Sequence, residues 1–92
     1  MSLVQVSNPG FILDGKPFVP WGTNYFLPGT GWAPQLWGTY TPQRAAEDFA
    51  RLRDLGANVV RVFTTWKWFL DSETAVNEEG MRRLDQLLGI SW

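Results

Sequence analysis

The run Ala57-Asn58-Val59-Val60-Arg61-Val62-Phe63 constrains the fold more than any other segment. It is rich in β-branched residues and lacks clean polar alternation, the pattern of a strand covered on both faces in a parallel sheet. It starts directly after Gly56, and the residues before that glycine read as a helix. Thr41 suits the N-cap and Pro42 the first helical position, while Glu47 and Asp48 lie towards the end of the helix whose dipole favours acids. Ala45, Phe49, Leu52 and Gly56 recur at spacings of four, three and four, so they share one face. Gly56 then supplies the left-handed cap that stops the helix. Upstream, the short and mostly apolar run Phe18 to Tyr25 reads as a strand, with Pro20 near its start. Strand, helix and strand make a βαβ unit with a right-handed crossover. The pattern predicts a helix over about 42–55 and a strand over about 58–63, parallel to one over about 19–24.

The flanking segments extend this reading. Phe11 to Phe18 reads as a hairpin turning at Asp14-Gly15, a pair that tolerates the positive φ angles of a two-residue turn. Pro17 has no N–H for a ladder, which puts its strand at an edge. Leu27 to Tyr40 holds three glycines and two prolines and reads as a long loop, with Trp32 and Trp37 in it. Thr64 to Val76 reads as a second loop, carrying Trp66, Trp68 and Phe69. Asn77-Glu78-Glu79 opens another helix, with an Asn cap, acids in the first turn and Met81, Leu84 and Leu88 on the inner face. Two parallel strands and two helices leave both flanks of the sheet open, so the 92 residues are expected to be an incomplete part of a larger domain or to be completed by another chain. Unpaired β-branched edges make the isolated chain prone to oligomerise or aggregate.

Composition excludes several functions. Cysteine and histidine are absent, which removes thiolate sites, disulfides and the commonest general base and metal ligand. Net charge is -1 with no like-charge run above two residues, so nothing points to nucleic acid or an anionic membrane. No apolar run is long enough for a spanning helix or a secretion signal. Six Trp, six Phe and two Tyr are the unusual part, and most of the Trp lie outside any core periodicity. Trp21, inside a strand-like run, is expected in the core.

Three segments carry a resemblance: FILDGKPFVPWGTNYF, DLGANVVRVF and NEEGMRRLDQLL. Their order is similar to the start of family 5 glycoside hydrolases and their clan A relatives. The Gly22-Thr23-Asn24-Tyr25-Phe26 and Val59-Val60-Arg61-Val62 stretches look most like the first two strands of endo-β-mannanases. The resemblance spans Phe11 to Leu88. It implies an α/β fold, the N-terminal hairpin, strand, helix, strand and start of a second helix of a (β/α)8 TIM barrel, with residues 1–92 as one incomplete domain. Such a barrel takes about 250 residues. The implied activity is retaining hydrolysis of a β-linked poly- or oligosaccharide, cellulase- or mannanase-like, without cofactor or metal. The two catalytic glutamates would close strands four and seven, which lie outside this chain. The 92 residues alone are therefore expected to be inactive, and an extracellular location is what the resemblance suggests.

The candidate site residues each have a structural alternative. Arg61 is either a strand-end ion pair or, as the resemblance implies, the residue that hydrogen-bonds the nucleophile glutamate and favours its ionised form; buried, it would need an acidic partner. Asn24 and Tyr25 end the first strand, where they are turn residues or substrate contacts. Trp32, Trp37 and Trp66 are packing residues or flat platforms for sugar C–H faces, with Trp66 favoured because it follows the second strand. Asp71 and Glu73, two apart in a loop, read as solvated charge rather than a catalytic pair, which needs rigid carboxyls about 5–5.5 Å apart. The rival reading from another class is a non-catalytic carbohydrate-binding protein or module, against which the two capped helices argue. A non-catalytic scaffold on the same barrel is a third.

Overall fold

A computed structural model describes residues 2–27 and 33–91. The chain opens with three antiparallel strands, β1 (Gln5–Ser7), β2 (Gly10–Leu13) and β3 (Lys16–Phe18), in that spatial order. Asp14 and Gly15 turn β2 into β3 with φ of 52° and 76°, as a two-residue hairpin turn requires. Pro17 falls on the edge strand β3, where its missing N–H costs no ladder bond. Strand β1 was not apparent from the sequence, because Val6 is its only β-branched side chain between Gln5 and Ser7.

The parallel pair is present. Strand β4 (Gly22–Asn24) pairs with β5 (Val59–Arg61) in the register Gly22 to Val59, Thr23 to Val60 and Asn24 to Arg61. Both strands are shorter than their sequence patterns, although the ladder continues at each end through Tyr25 N–H to the Arg61 carbonyl and Asn58 N–H to the Trp21 carbonyl, both 2.9 Å. Two helices, α1 (Ala33–Thr39) and α2 (Pro42–Asp54), lie between them. Helix α2 begins and ends where the sequence placed it. Thr41 Oγ1 accepts the Arg44 N–H at 3.3 Å, and Pro42 sits at the first helical position. At the far end Gly56, with φ 92°, lets its N–H reach the Arg53 carbonyl while Ala57 N–H reaches that of Leu52, closing the helix with paired reverse bonds.

The two expected loops hold more structure than their composition suggests. Helix α1 forms in the first despite Gly38, because it buries Leu36 and Trp37 completely. That gain outweighs the helix cost of one glycine, and the site needs glycine anyway: a Cβ there would come 2.8 Å from the Trp68 ring. The second contains a one-turn helix, α3 (Trp66–Phe69), and an antiparallel hairpin of β6 (Leu70–Ser72) and β7 (Ala75–Val76). Helix α4 (Glu78–Ser91) follows, capped by Asn77 Oδ1 accepting the Gly80 N–H at 2.8 Å.

The barrel expectation is overturned. Among the described residues the strands form three separate sheets of three, two and two, of which only β4–β5 is parallel, and no sheet closes. A strand–helix–strand pattern specifies a local unit; the hairpins on either side pair within themselves instead of adding parallel neighbours to it.

One core holds the molecule, built from Tyr25, Leu36, Trp37, Ala45, Phe49, Phe69 and Leu87. Tyr25 meets Phe49 edge-on at 5.0 Å and Trp37 meets Phe69 at 4.9 Å, geometries that suit the ring quadrupoles. Ala45 and Phe49 bury the expected face of α2. Helix α4 is rolled from expectation: Gly80 and Leu87 are buried, Leu84 half-buried, and Met81 and Leu88 exposed. Gly80 causes the roll, because it lies against the Trp68 carbonyl where no Cβ fits. Arg83 then donates to the Trp37 carbonyl at 2.6 Å and Arg53 to the Ile90 carbonyl at 3.1 Å, tying α4 to α1 and α2. Trp21 is corrected as well: it precedes β4, lies outside the core cluster and is 57% exposed. Among the described residues no helix is long and apolar enough to cross a membrane.

Candidate functional site

The β4–β5 pair has two unlike faces. Side chains alternate along a strand, and partners in register share a face. Val60 and Val62 pack against the core, as does Tyr25. Val59, Arg61 and Phe63 point the other way and are exposed. Asn24, opposite Arg61, and Gly22, opposite Val59, belong to that same uncovered face. A shallow groove of about 390 Å³ runs there, lined by Pro20, Gly22, Thr23, Asn24, Val59 and Arg61. Glycine is required at position 22, since a Cβ would run into the Val59 carbonyl.

Arg61 differs from expectation in its surroundings. The strand is covered on one face only, so the guanidinium is solvated and no buried ion pair is required. Its Cζ lies 4.8 Å from the Phe63 ring centroid, a cation–π contact, and no carboxylate among the described residues forms an ion pair with it. The fork therefore keeps its donors for a ligand or an acid from outside the described residues.

Trp66 starts α3 and is 85% exposed. It lines a second groove of about 410 Å³ with Leu70, Asp71, Ser72 and Glu73. Asp71 serves the fold, since its Oδ1 accepts from Asn77 Nδ2 at 2.8 Å and steadies the residue that caps α4.

Two expected substrate contacts turn inward instead. Tyr25 is 6% exposed and its hydroxyl donates to Asp48 Oδ2 at 2.8 Å. Burial first, and that hydrogen bond second, push the hydroxyl's pKa well above its ordinary value. Asp48 is held in turn by Arg44 Nε at 3.0 Å. Trp37 is 0% exposed, and its indole N–H donates to the Phe63 carbonyl at 2.7 Å. Neither ring offers a face to a sugar. The reason is amphipathic: each has one polar atom, and the fold supplies one partner for it inside the core. The Tyr25–Asp48–Arg44 chain was missed in the sequence; only the four-residue spacing of Arg44 and Asp48 hinted at part of it. Trp32 lies outside the described residues. No group of three or more potential ligands for a metal ion occurs among the described residues.

The structure thus brings Asn24 and Arg61 together, leaves Trp66 exposed on a groove of its own, and puts Tyr25 and Trp37 in the core. No protein-family model, curated protein or solved structure matches this chain.

Proposed function

We propose that the chain belongs to a glycoside hydrolase that cleaves β-linked poly- or oligosaccharides with retention, and that it supplies substrate contacts and one fixed positive charge, while the two glutamates come from outside its 92 residues. The observation that carries the reading is the pairing of Asn24 with Arg61 on one rung of an uncovered sheet face. An unpaired guanidinium beside an amide suits a site where one carboxylate must stay ionised and sugar hydroxyls must be held. Exposed Trp66 adds an apolar plane for a pyranose ring. A second reading, carbohydrate binding without catalysis, is favoured by the same Trp66, whose groove needs no glutamate at all.

Three measurements test this. Manno- and cello-oligosaccharides titrated into the chain should change its tryptophan fluorescence saturably, and Trp66→Ala should remove the effect. The chain alone should not turn over aryl β-glycosides. Turnover by the chain alone, or no saturable change with any β-linked oligosaccharide, would overturn the proposal. In a longer polypeptide carrying both glutamates, Arg61→Ala should lower kcat by about a hundredfold, as for loss of one preorganised electrostatic contact. The acidic limb of its pH–rate profile should move to higher pH, because the nucleophile loses the cation that favours its anion. Unchanged turnover with an unmoved limb would leave binding as the function.

A further inference from the structure

A residue that belongs to neither strand grips the chain just ahead of the rung that pairs Asn24 with Arg61. Asn58 precedes β5 and faces the chain just ahead of β4. Its Oδ1 accepts the Trp21 N–H at 2.8 Å and its Nδ2 donates to the Val19 carbonyl at 2.9 Å. Its own N–H donates to the Trp21 carbonyl at 2.9 Å. Pro20, between the two residues gripped, has no N–H to offer a neighbouring strand. The side-chain amide stands in for a backbone rung at that point. The amide presents an acceptor and a donor on two separate atoms at neutral pH while remaining uncharged, which suits it to bond both Trp21 and Val19. The clamp matters because β4 and β5 have only three residues each, and a slip of one residue would turn Asn24 to the opposite face from Arg61.

We infer that Asn58 is a positioning residue: by gripping Val19 and Trp21 it fixes the register that sets Asn24 beside Arg61. Its importance for function rests on the reading of Asn24 and Arg61 as one site; the register itself is measurable without that reading.

The chain has no cysteine, so introduced pairs report register directly. Asn24→Cys with Arg61→Cys places two thiols on one face of adjacent strands, within reach of a disulfide, whereas Thr23→Cys with Arg61→Cys places them on opposite faces. With Asn58 intact the first pair should close and the second should not. With Asn58→Ala the first should close about tenfold more slowly, the effect expected for two lost hydrogen bonds, and the second should begin to close. Asn58→Asp covers the case in which the alanine variant does not fold. Its carboxylate repels the Val19 carbonyl at neutral pH, but protonated, below about pH 4, it accepts and donates as the amide does. Cross-strand nuclear Overhauser contacts between Asn24 and Arg61 should therefore weaken at neutral pH and return once the medium is more acidic than about pH 4. In the unsubstituted chain, the Asn58 side-chain amide protons should exchange with solvent more slowly than those of exposed Gln43. Normal 24–61 closure with Asn58→Ala, an Asn58→Asp pairing that ignores pH, or Asn58 amide exchange as fast as that of Gln43 would each overturn the inference. Oligosaccharide titration of the same variants separates the two ideas: a slipped register with unchanged binding removes the site reading and leaves the clamp standing.

Discussion

The two faces of the β4–β5 pair are made by alternate residues of the same short strands, yet they obey different rules. On the helix-covered face, Tyr25, Val60 and Val62 join the core that holds Phe49 and Trp37, and the polar atoms of Tyr25 and Trp37 each have a partner. On the uncovered face, Asn24, Val59, Arg61 and Phe63 meet solvent, and the Arg61 donors are not consumed by any described carboxylate. One face is satisfied and supplies stability. The other meets solvent and is the face to which the proposal assigns recognition. Aromatic content alone does not reveal burial: Trp37 on α1 and Trp66 on α3 look alike as letters in a sequence, yet one is fully buried and the other exposed.

The comparison breaks first at Trp37. Trp37→Ala should destabilise the chain by about 3–5 kcal/mol, read from the urea midpoint, since a large ring and a satisfied indole are both lost from the core. A loss below about 1 kcal/mol would mean that this face is not the core it is taken to be. Gly80→Ala comes next. Alanine favours a helix over glycine, but here a Cβ would strike the Trp68 carbonyl, so destabilisation of about 1–3 kcal/mol is expected. A stabilised variant would show that α4 can shift away at no cost.

These two positions also show what the sequence could reveal. Both ends of α2 were legible because Thr41-Pro42 and Gly56 each act locally, through a cap and a left-handed turn. The Asp14-Gly15 hairpin was legible for the same reason, and the parallel strands through their run of apolar residues. Helix α1 was hidden because Gly38 signals a loop locally, and only packing against Trp68 reveals why glycine belongs in a helix there. The roll of α4 was hidden because Gly80 acts through the backbone it approaches. The barrel was wrong because closure depends on what pairs beyond β4 and β5, which a local pattern does not encode. In the site, Asn24 and Arg61 could be placed near strand ends from the sequence, but their adjacency depends on register. The inward turn of Tyr25 is not legible in the sequence because its partner, Asp48, lies 23 residues away.

Tyr25 gives a smaller, pH-dependent effect. Tyr25→Phe should cost about 1 kcal/mol, the net worth of one hydrogen bond, moderated by the Arg44 contact that Asp48 keeps. The folded-state pKa of Tyr25 lies above its ordinary value of 10.0, so the folded state favours the protonated phenol. Its contribution is full below about pH 10 and is lost as pH rises through the folded value. The melting temperature should therefore fall above about pH 10 more steeply in the parent than in Tyr25→Phe. Equal slopes would show that the hydroxyl is not held as described.

The smallest stability effects belong to the uncovered face and to Trp66 on its separate groove, and they decide the central claim. Asn24→Ala, Arg61→Ala and Trp66→Ala should each change unfolding free energy by no more than about 0.5 kcal/mol, as exposed positions do. The most direct measurement is to record, for Arg61→Ala and Trp66→Ala beside Tyr25→Phe, both the urea midpoint and the affinity for a β-linked manno-oligosaccharide. The expected result is a crossover: the first two keep their midpoints and lose roughly tenfold or more in affinity, while Tyr25→Phe loses stability and keeps its affinity. With midpoints unmoved, full affinity in Arg61→Ala would contradict the assignment of the uncovered face as the site, and full affinity in Trp66→Ala would remove the separate Trp66 groove from it.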